Sequence, residues 1–272
     1  MILAGIDEAG LGPAMGPLCV CAAVLRLSDA ALAADGCAAD DCAALAAWPW
    51  ERLAGLAGRE GKDKLSPLLI TDSKIAHKVR GVAGLEAAAL SFWLAAQTDG
   101  AEAVAVAEQV WPAELSRERL LTSLGAQDVV PALKGCPWYA GGWPLPAHAP
   151  AGLILDCARQ LRAEDGLSVP ALRARVLTEK MLNDLFARDL NKSEVLLLQT
   201  GAHIRFVYEQ YPDEAALIVV DKQGGRNFYA PFLSEMLGGA WVQTICEGAD
   251  LSEYVVARPD GIERLHPGAV QE

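Results

Sequence analysis

Ala215-Ala216-Leu217-Ile218-Val219-Val220-Asp221-Lys222-Gln223-Gly224-Gly225-Arg226 is the stretch that decides the fold class. An unbroken apolar run that ends in a carboxylate and a glycine-rich turn reads as a strand buried on both faces. Strands of that kind belong to α/β sheets covered by helices, and ligands gather outside their carboxyl ends. Asp221 therefore stands where a functional group is expected, with a turn or capping role as the alternative. Lys222 and Arg226 beside it can meet phosphate oxygens or stay solvated.

Upstream, Asn191 with Glu194 three residues on forms a capping box, which opens a helix running toward Tyr211 and stopped by Pro212. Residues 170 to 190 predict another helix, opened by Pro170, with Leu172, Val176, Leu182, Leu185 and Phe186 on its apolar face. Downstream, Trp241 to Cys246 and Glu253 to Ala257 predict strands, the second leading into a Pro259-Asp260-Gly261 turn. At the start of the chain, residues 2 to 6 and Leu18 to Leu27 predict two strands joined by a Gly/Pro turn.

Between these ends the composition shifts. From Ser28 to about Lys64 the chain is Ala-rich with scattered Asp29, Asp35, Asp40 and Asp41, which predicts a mostly helical insertion over about 28–64. Residues 74 to 97 have helical apolar spacing, Ala101 to Val106 predicts a returning strand, and Lys134 to Pro150 is too rich in Gly and Pro for a regular element.

With 272 residues and 52% apolar composition the chain can bury a core near the upper size for one domain, so a single domain with an insertion is expected. Met1 to Glu8 lacks a basic leader, and no later run offers the ~20 apolar residues of a membrane helix, so a cytoplasmic protein is expected. Seven cysteines without a C-x-x-C pair argue against a disulfide framework or a zinc site and read as buried small apolar residues. The formal charge of −12 disfavours a nucleic-acid partner unless the basic residues cluster locally.

Two further segments carry chemistry. In Gly5-Ile6-Asp7-Glu8-Ala9-Gly10, adjacent carboxylates end an apolar strand. Desolvating both is costly unless a cation compensates, and a divalent metal does so; the alternative is a solvated strand end. Because neighbouring residues of a strand face opposite ways, Asp7 and Glu8 share an ion only where the strand breaks, and Gly10 and Gly12 provide for a break. In Thr71-Asp72-Ser73-Lys74, followed by His77, Lys78 and Arg80, the choice is between a helix cap at Asp72 or Ser73 and a phosphate contact through Lys74.

Gly5-Ile6-Asp7-Glu8-Ala9-Gly10-x-Gly12-Pro13 with Gly16-Pro17 resembles the opening signature of the ribonuclease HII family. Asp72-Ser73-Lys74 resembles that family's next motif, and the helix from Asn191 followed by Val219-Val220-Asp221 is similar to the elements that deliver its third carboxylate. The resemblance implies an α/β fold with a ribonuclease H-like mixed sheet flanked by helices, here with an Ala-rich helical insertion. It also implies hydrolysis of the RNA strand of RNA–DNA hybrids with two Mg²⁺ or Mn²⁺ ions. On it, Asp7, Glu8 and Asp221 are metal ligands, with Asp250 as the best candidate for a fourth. Gly10, Leu11, Gly12, Ser73, Lys74, Lys222 and Arg226 become substrate contacts.

The departures from that pattern are specific. Leu11 stands where the family usually has Arg, in the pocket that reads the RNA–DNA junction. The family's C-terminal Ala/Ser-rich helix has no counterpart before Glu272, so an abbreviated C-terminus is expected. Two other readings stay open: a catalytically inactive ribonuclease H-like binding module, and a dinucleotide-binding enzyme with Gly10-x-Gly12-x-x-x-Gly16 as its phosphate loop. The second requires that loop to open a helix.

Overall fold

The structure, a computed structural model, describes residues 1–10, 16–59, 66–98, 100–111, 115–139, 141, 144–223, 226–258 and 264–267. In chain order the elements are β1 (Ile2–Ala9), β2 (Leu18–Leu27), α1 (Asp29–Ala34), α2 (Cys42–Arg52), β3 (Ala57–Gly58), β4 (Leu68–Leu69), α3 (Ser73–Ala96), α4 (Gly100–Glu108), α5 (Arg117–Ser123), α6 (Val130–Lys134) and α7 (Ala151–Ala163). They continue as β5 (Leu167–Leu177), α8 (Glu179–Phe186), α9 (Lys192–Gln210), β6 (Ala216–Val220), α10 (Ala230–Met236), β7 (Trp241–Glu247), β8 (Ser252–Ala257) and β9 (Arg264–Pro267). Contacts divide the chain into two compact units, Met1–Val24 with Leu121–Ala140 and Arg173–Glu272, and Leu25–Leu120 with Gly141–Leu172.

The first unit is built on an α/β sheet ordered β5-β2-β1-β6-β9-β8-β7, which β2 leaves after Val24 and β5 joins from Arg173. The sheet is mixed. β1 pairs parallel with β6 and β6 parallel with β9, whereas β8 runs antiparallel to both β9 and β7. The apolar run of β6 is buried over Ala216, Leu217 and Ile218, as a strand covered on both faces requires.

Helix α9 packs on β1 and β6. Its start is the capping box read from sequence: the Asn191 side chain accepts from the Glu194 N–H and the Glu194 side chain accepts from the Asn191 N–H. His203 is 3% exposed on this helix, and its Nε2–H donates to the Val20 carbonyl at 2.9 Å, fastening α9 to β2. At Gly201 a Cβ would stand 2.2 Å from Met236 Sδ and 2.6 Å from Phe232 Cζ, so glycine is what lets α10 lie close to α9. The segment from Leu121 to Tyr139 closes the other flank, where Ala126, Val129, Leu133 and Ala174 form a buried cluster joined by Tyr139, Val176 and Met181.

The second unit holds α1 to α4, α7 and the short parallel β3–β4 pair. Helix α3 packs against α7 and α4, and it bends at Gly81, where φ is +65° and ψ −167°. The Arg162 guanidinium on α7 ties the end of α3 by donating to the Leu94 and Gln97 carbonyls. Glu86 accepts the N–H groups of Ala147, His148 and Ala149, which anchors the irregular stretch before α7.

Three sequence expectations are corrected. Ala101–Val106 lies within helix α4, not a strand: Ala-rich Gly100–Glu108 has strong helix propensity, and Glu102 pairs with Arg119 at 2.5 Å. Residues 170–190 are not one helix. Leu167–Leu177 is strand β5, whose Pro170 is tolerated because β5 is the edge of the sheet, and α8 begins only after Thr178, whose side chain accepts from the Met181 N–H. The cysteines are not uniformly buried; Cys157 is, whereas Cys21 is exposed and the other five are intermediate.

Candidate functional site at the carboxyl ends of β1 and β6

Strand register assembles the site. Ile6 pairs with Val220, so Asp7 and Asp221 are the residues that follow this pair, at the same carboxyl end of two adjacent parallel strands. Because β8 is antiparallel to β9, which is parallel to β6, the β7–β8 turn over residues 248–251 returns to that end too. That turn carries Asp250, and it is tied to the β6 end by Lys222, whose Nζ donates to the Ala249 carbonyl. The four acids named from sequence thus share one edge of the sheet.

The local geometry differs from expectation in one respect. β1 does not break at the acids but continues to Ala9, so Asp7 and Glu8 alternate across the sheet, and Asp7 Oδ1 accepts the Glu8 N–H at 2.7 Å. The turn conformation begins at Gly10, with φ +92°, where a Cβ would stand 2.2 Å from the Pro17 carbonyl oxygen. Only glycine allows the two ends of this loop to close. Leu11 and Gly12 lie outside the described residues.

Asp7, Asp221 and Asp250 are exposed and Glu8 is half-buried. Burial first, then the Asp7 and Asp221 carboxylates, push the Glu8 carboxyl above its ordinary range, against a backbone hydrogen bond that lowers it. Asp221 is therefore near enough to act on Glu8 electrostatically. Among the described residues, no group of three or more His, Cys, Asp or Glu stands close enough together to hold an ion as placed.

The surroundings include residues that sequence reading missed. Gln223 is 4% exposed; its Nε2 donates to Thr200 Oγ1 and its N–H to the Tyr229 hydroxyl, while Oε1 has no partner among the described residues. Tyr229 donates in turn to the Arg226 carbonyl, and the Tyr254 hydroxyl accepts from the Tyr229 N–H and donates to Glu247. A largely apolar cavity of about 50 Å³ lies among Thr200, Asp221, Gln223, Tyr229, Phe232 and Tyr254. On the other side of β1, Glu179 at the start of α8 accepts from the Gly16 N–H at 3.0 Å and from the Tyr139 hydroxyl at 2.9 Å. These contacts join residues 40 to 163 positions apart, and no short motif announces them.

Of the basic residues named from sequence, Lys222 is engaged with Ala249, and half-buried Arg226 has an Nε without a partner among the described residues. Ser73 and Lys74 are exposed at the start of α3, in the second unit. There Asp72 Oδ1 accepts the N–H groups of Lys74 and Ile75 at 2.9 and 3.1 Å, the ordinary helix-cap role.

No protein-family model, no curated protein and no solved structure matches this chain.

Proposed function

We propose that this chain is a metal-dependent endoribonuclease of ribonuclease H-like fold that hydrolyses the RNA strand of RNA–DNA hybrids. The observation that supports the reading is the placement of Asp7 and Asp221 at the same end of the parallel β1–β6 pair, with Glu8 beside Asp7 and Asp250 in the turn that Lys222 ties to the β6 end. Burial first, and then repulsion from the Asp7 and Asp221 carboxylates, raises the Glu8 pKa, and a cation bound beside them would offset both. An all-oxygen donor set of this kind suits Mg²⁺ or Mn²⁺ rather than zinc.

On this reading Asp7, Glu8, Asp221 and Asp250 would hold the ions. Divalent ions held there would supply a water nucleophile of lowered pKa and would offset charge on the scissile phosphate and the leaving 3′ oxygen. The protein's own contribution is positional. Gly10 turns the chain at the end of β1, Lys222 ties the Asp250 turn to the β6 end, and Arg226 would supply a cation for the phosphate backbone.

The dinucleotide-binding alternative loses support, since Gly10 to Gly16 leads into strand β2 where a dinucleotide loop must open a helix. The inactive binding module keeps one supporting observation, the absence of a closed acid cluster among the described residues. A labelled RNA–DNA hybrid incubated with Mg²⁺ or Mn²⁺ decides between them. Cleavage lost in Asp7→Asn and Asp221→Asn supports the nuclease; hybrid binding without cleavage under either metal supports the binding module.

A further inference from the structure

Trp138 is 66% exposed, an unusual position for the largest apolar side chain, in a turn closed by the Tyr139 N–H donating to the Cys136 carbonyl at 2.9 Å. It follows the buried cluster of Ala126, Val129 and Leu133, and its neighbour Tyr139 belongs to the rim of that cluster. The Trp138 and Tyr139 rings are tilted by 59° with centroids 6.0 Å apart. The Tyr139 hydroxyl donates to the same Glu179 oxygen that accepts the Gly16 N–H. Glu179 therefore binds two things together: the turn that carries Trp138, and Gly16, which leads into β2.

Hydrogen bonds hold the Glu179 carboxyl below its ordinary pKa, first from its own backbone and then from Tyr139, Gly16 and Trp138, against burial that raises it. At neutral pH the group is an anion, the form that accepts both donors best.

We infer that Trp138 is a stacking platform for an unpaired nucleobase of the bound nucleic acid, and that Glu179 is the positioning residue that ties its turn to Gly16. The inference rests on the nuclease reading. An exposed indole fixed at its base offers a flat face at little further entropic cost, and base–aromatic stacking works for any base. It also answers a difficulty of charge. A chain with a formal charge of −12 gains little from phosphate attraction, so uncharged contacts must supply more of its affinity.

The test uses the whole chain with Ca²⁺ in place of Mg²⁺ and a fluorescent RNA–DNA hybrid bearing a single-stranded DNA tail. Trp138→Ala is expected to weaken binding about tenfold, Trp138→Phe by about threefold or less, and Glu179→Gln to lie between them, with the salt dependence of binding the same in all. The inference is overturned if Trp138→Ala binds as the wild type does, or if the Phe and Ala variants are equally weak while their melting temperatures are unchanged. A wild type that binds neither the tailed hybrid nor a tailed DNA duplex overturns the nuclease reading together with it. Equal binding by wild type and Trp138→Ala removes the platform alone.

Discussion

Ile6 and Val220 are register partners across the parallel β1–β6 pair, and that single pairing delivers Asp7 and Asp221 to the same end of the sheet. Had β6 been antiparallel to β1, Asp221 would leave at the far end and no shared site could form. The first prediction follows. Asp7→Asn and Asp221→Asn should each lower hybrid cleavage about a hundredfold or more, each factor of ten being about 1.4 kcal/mol of barrier. In metal-free buffer Asp7→Asn should melt at the same temperature as wild type or slightly higher. The sign comes from Glu8. Its pKa is raised in the folded state, so the fold loses stability as pH rises through the window above 4.5, and removing a neighbouring anion relieves this. A drop of several degrees by calorimetry would instead make Asp7 a structural residue.

Gly10 is the second test of the site. Its φ of +92° and the 2.2 Å approach of a built Cβ to the Pro17 carbonyl oxygen oppose any side chain, and the obstacle is backbone, which cannot rotate away. Gly10→Ala should cost about 1–3 kcal/mol in urea denaturation. It should also reduce cleavage, because the loop following the acids must shift. Wild-type stability in this variant would show that the loop relaxes freely.

His203 gives a pH prediction independent of the site. Burial first, then the Arg175 and Arg173 charges, push it down to about 4, against a raising effect of its bond to the Val20 carbonyl. The unfolded imidazole titrates near 6.5, so the unfolded state binds more protons between pH 6.5 and about 4. Stability contributed by neutral His203 is complete above pH 6.5 and declines as pH falls through that window, by about 3 kcal/mol in all. Denaturation midpoints for wild type and His203→Gln measured from pH 7 to 4 should converge as the pH falls. Parallel curves would exclude His203 as the source.

How much of this was legible in the sequence depends on the range of the interaction. The capping box at Asn191, the buried run before Asp221 and the strand Leu18–Leu27 all report local geometry, and each is found where the residues indicate. Residues 170–177 misled because Pro170 and spaced Leu and Val fit a helix start as well as an edge strand, and only the sheet's order settles which. The convergence of Asp7 with Asp221 follows from two strand ends plus parallel pairing. Glu179, Tyr139, Gln223 and Tyr254 carried no such signal, since each acts through a partner fixed by tertiary packing.

Leu11 predicts a functional limit. An apolar side chain cannot donate the charge-assisted hydrogen bonds that Arg provides to phosphate and ribose. Cleavage of a duplex with one embedded ribonucleotide and of a long hybrid should proceed at rates within about threefold, a discrimination below 1 kcal/mol. A strong preference for the single ribonucleotide would assign junction reading to another cation, with Arg226 first in line because its Nε is buried without a partner among the described residues.

The last prediction concerns Asp250 and its tether. Asp250 stands in the turn between Glu247 and Ser252, at the same sheet edge as the other acids, yet nothing in β7 or β8 fixes its distance from them. That distance is set by Lys222, whose ammonium donates to the Ala249 carbonyl from the residue next to Asp221. The cation therefore binds the turn from a position next in sequence to Asp221. Lys222→Ala should release the turn, whereas Lys222→Arg should keep it tied. If Asp250 is a ligand, Mn²⁺ titration should show affinity reduced about tenfold or more in Asp250→Ala, with Lys222→Ala falling between it and wild type and Lys222→Arg near wild type. Unchanged affinity and stoichiometry in Asp250→Ala would remove that residue from the site. The fourth carboxylate would then have to come from elsewhere.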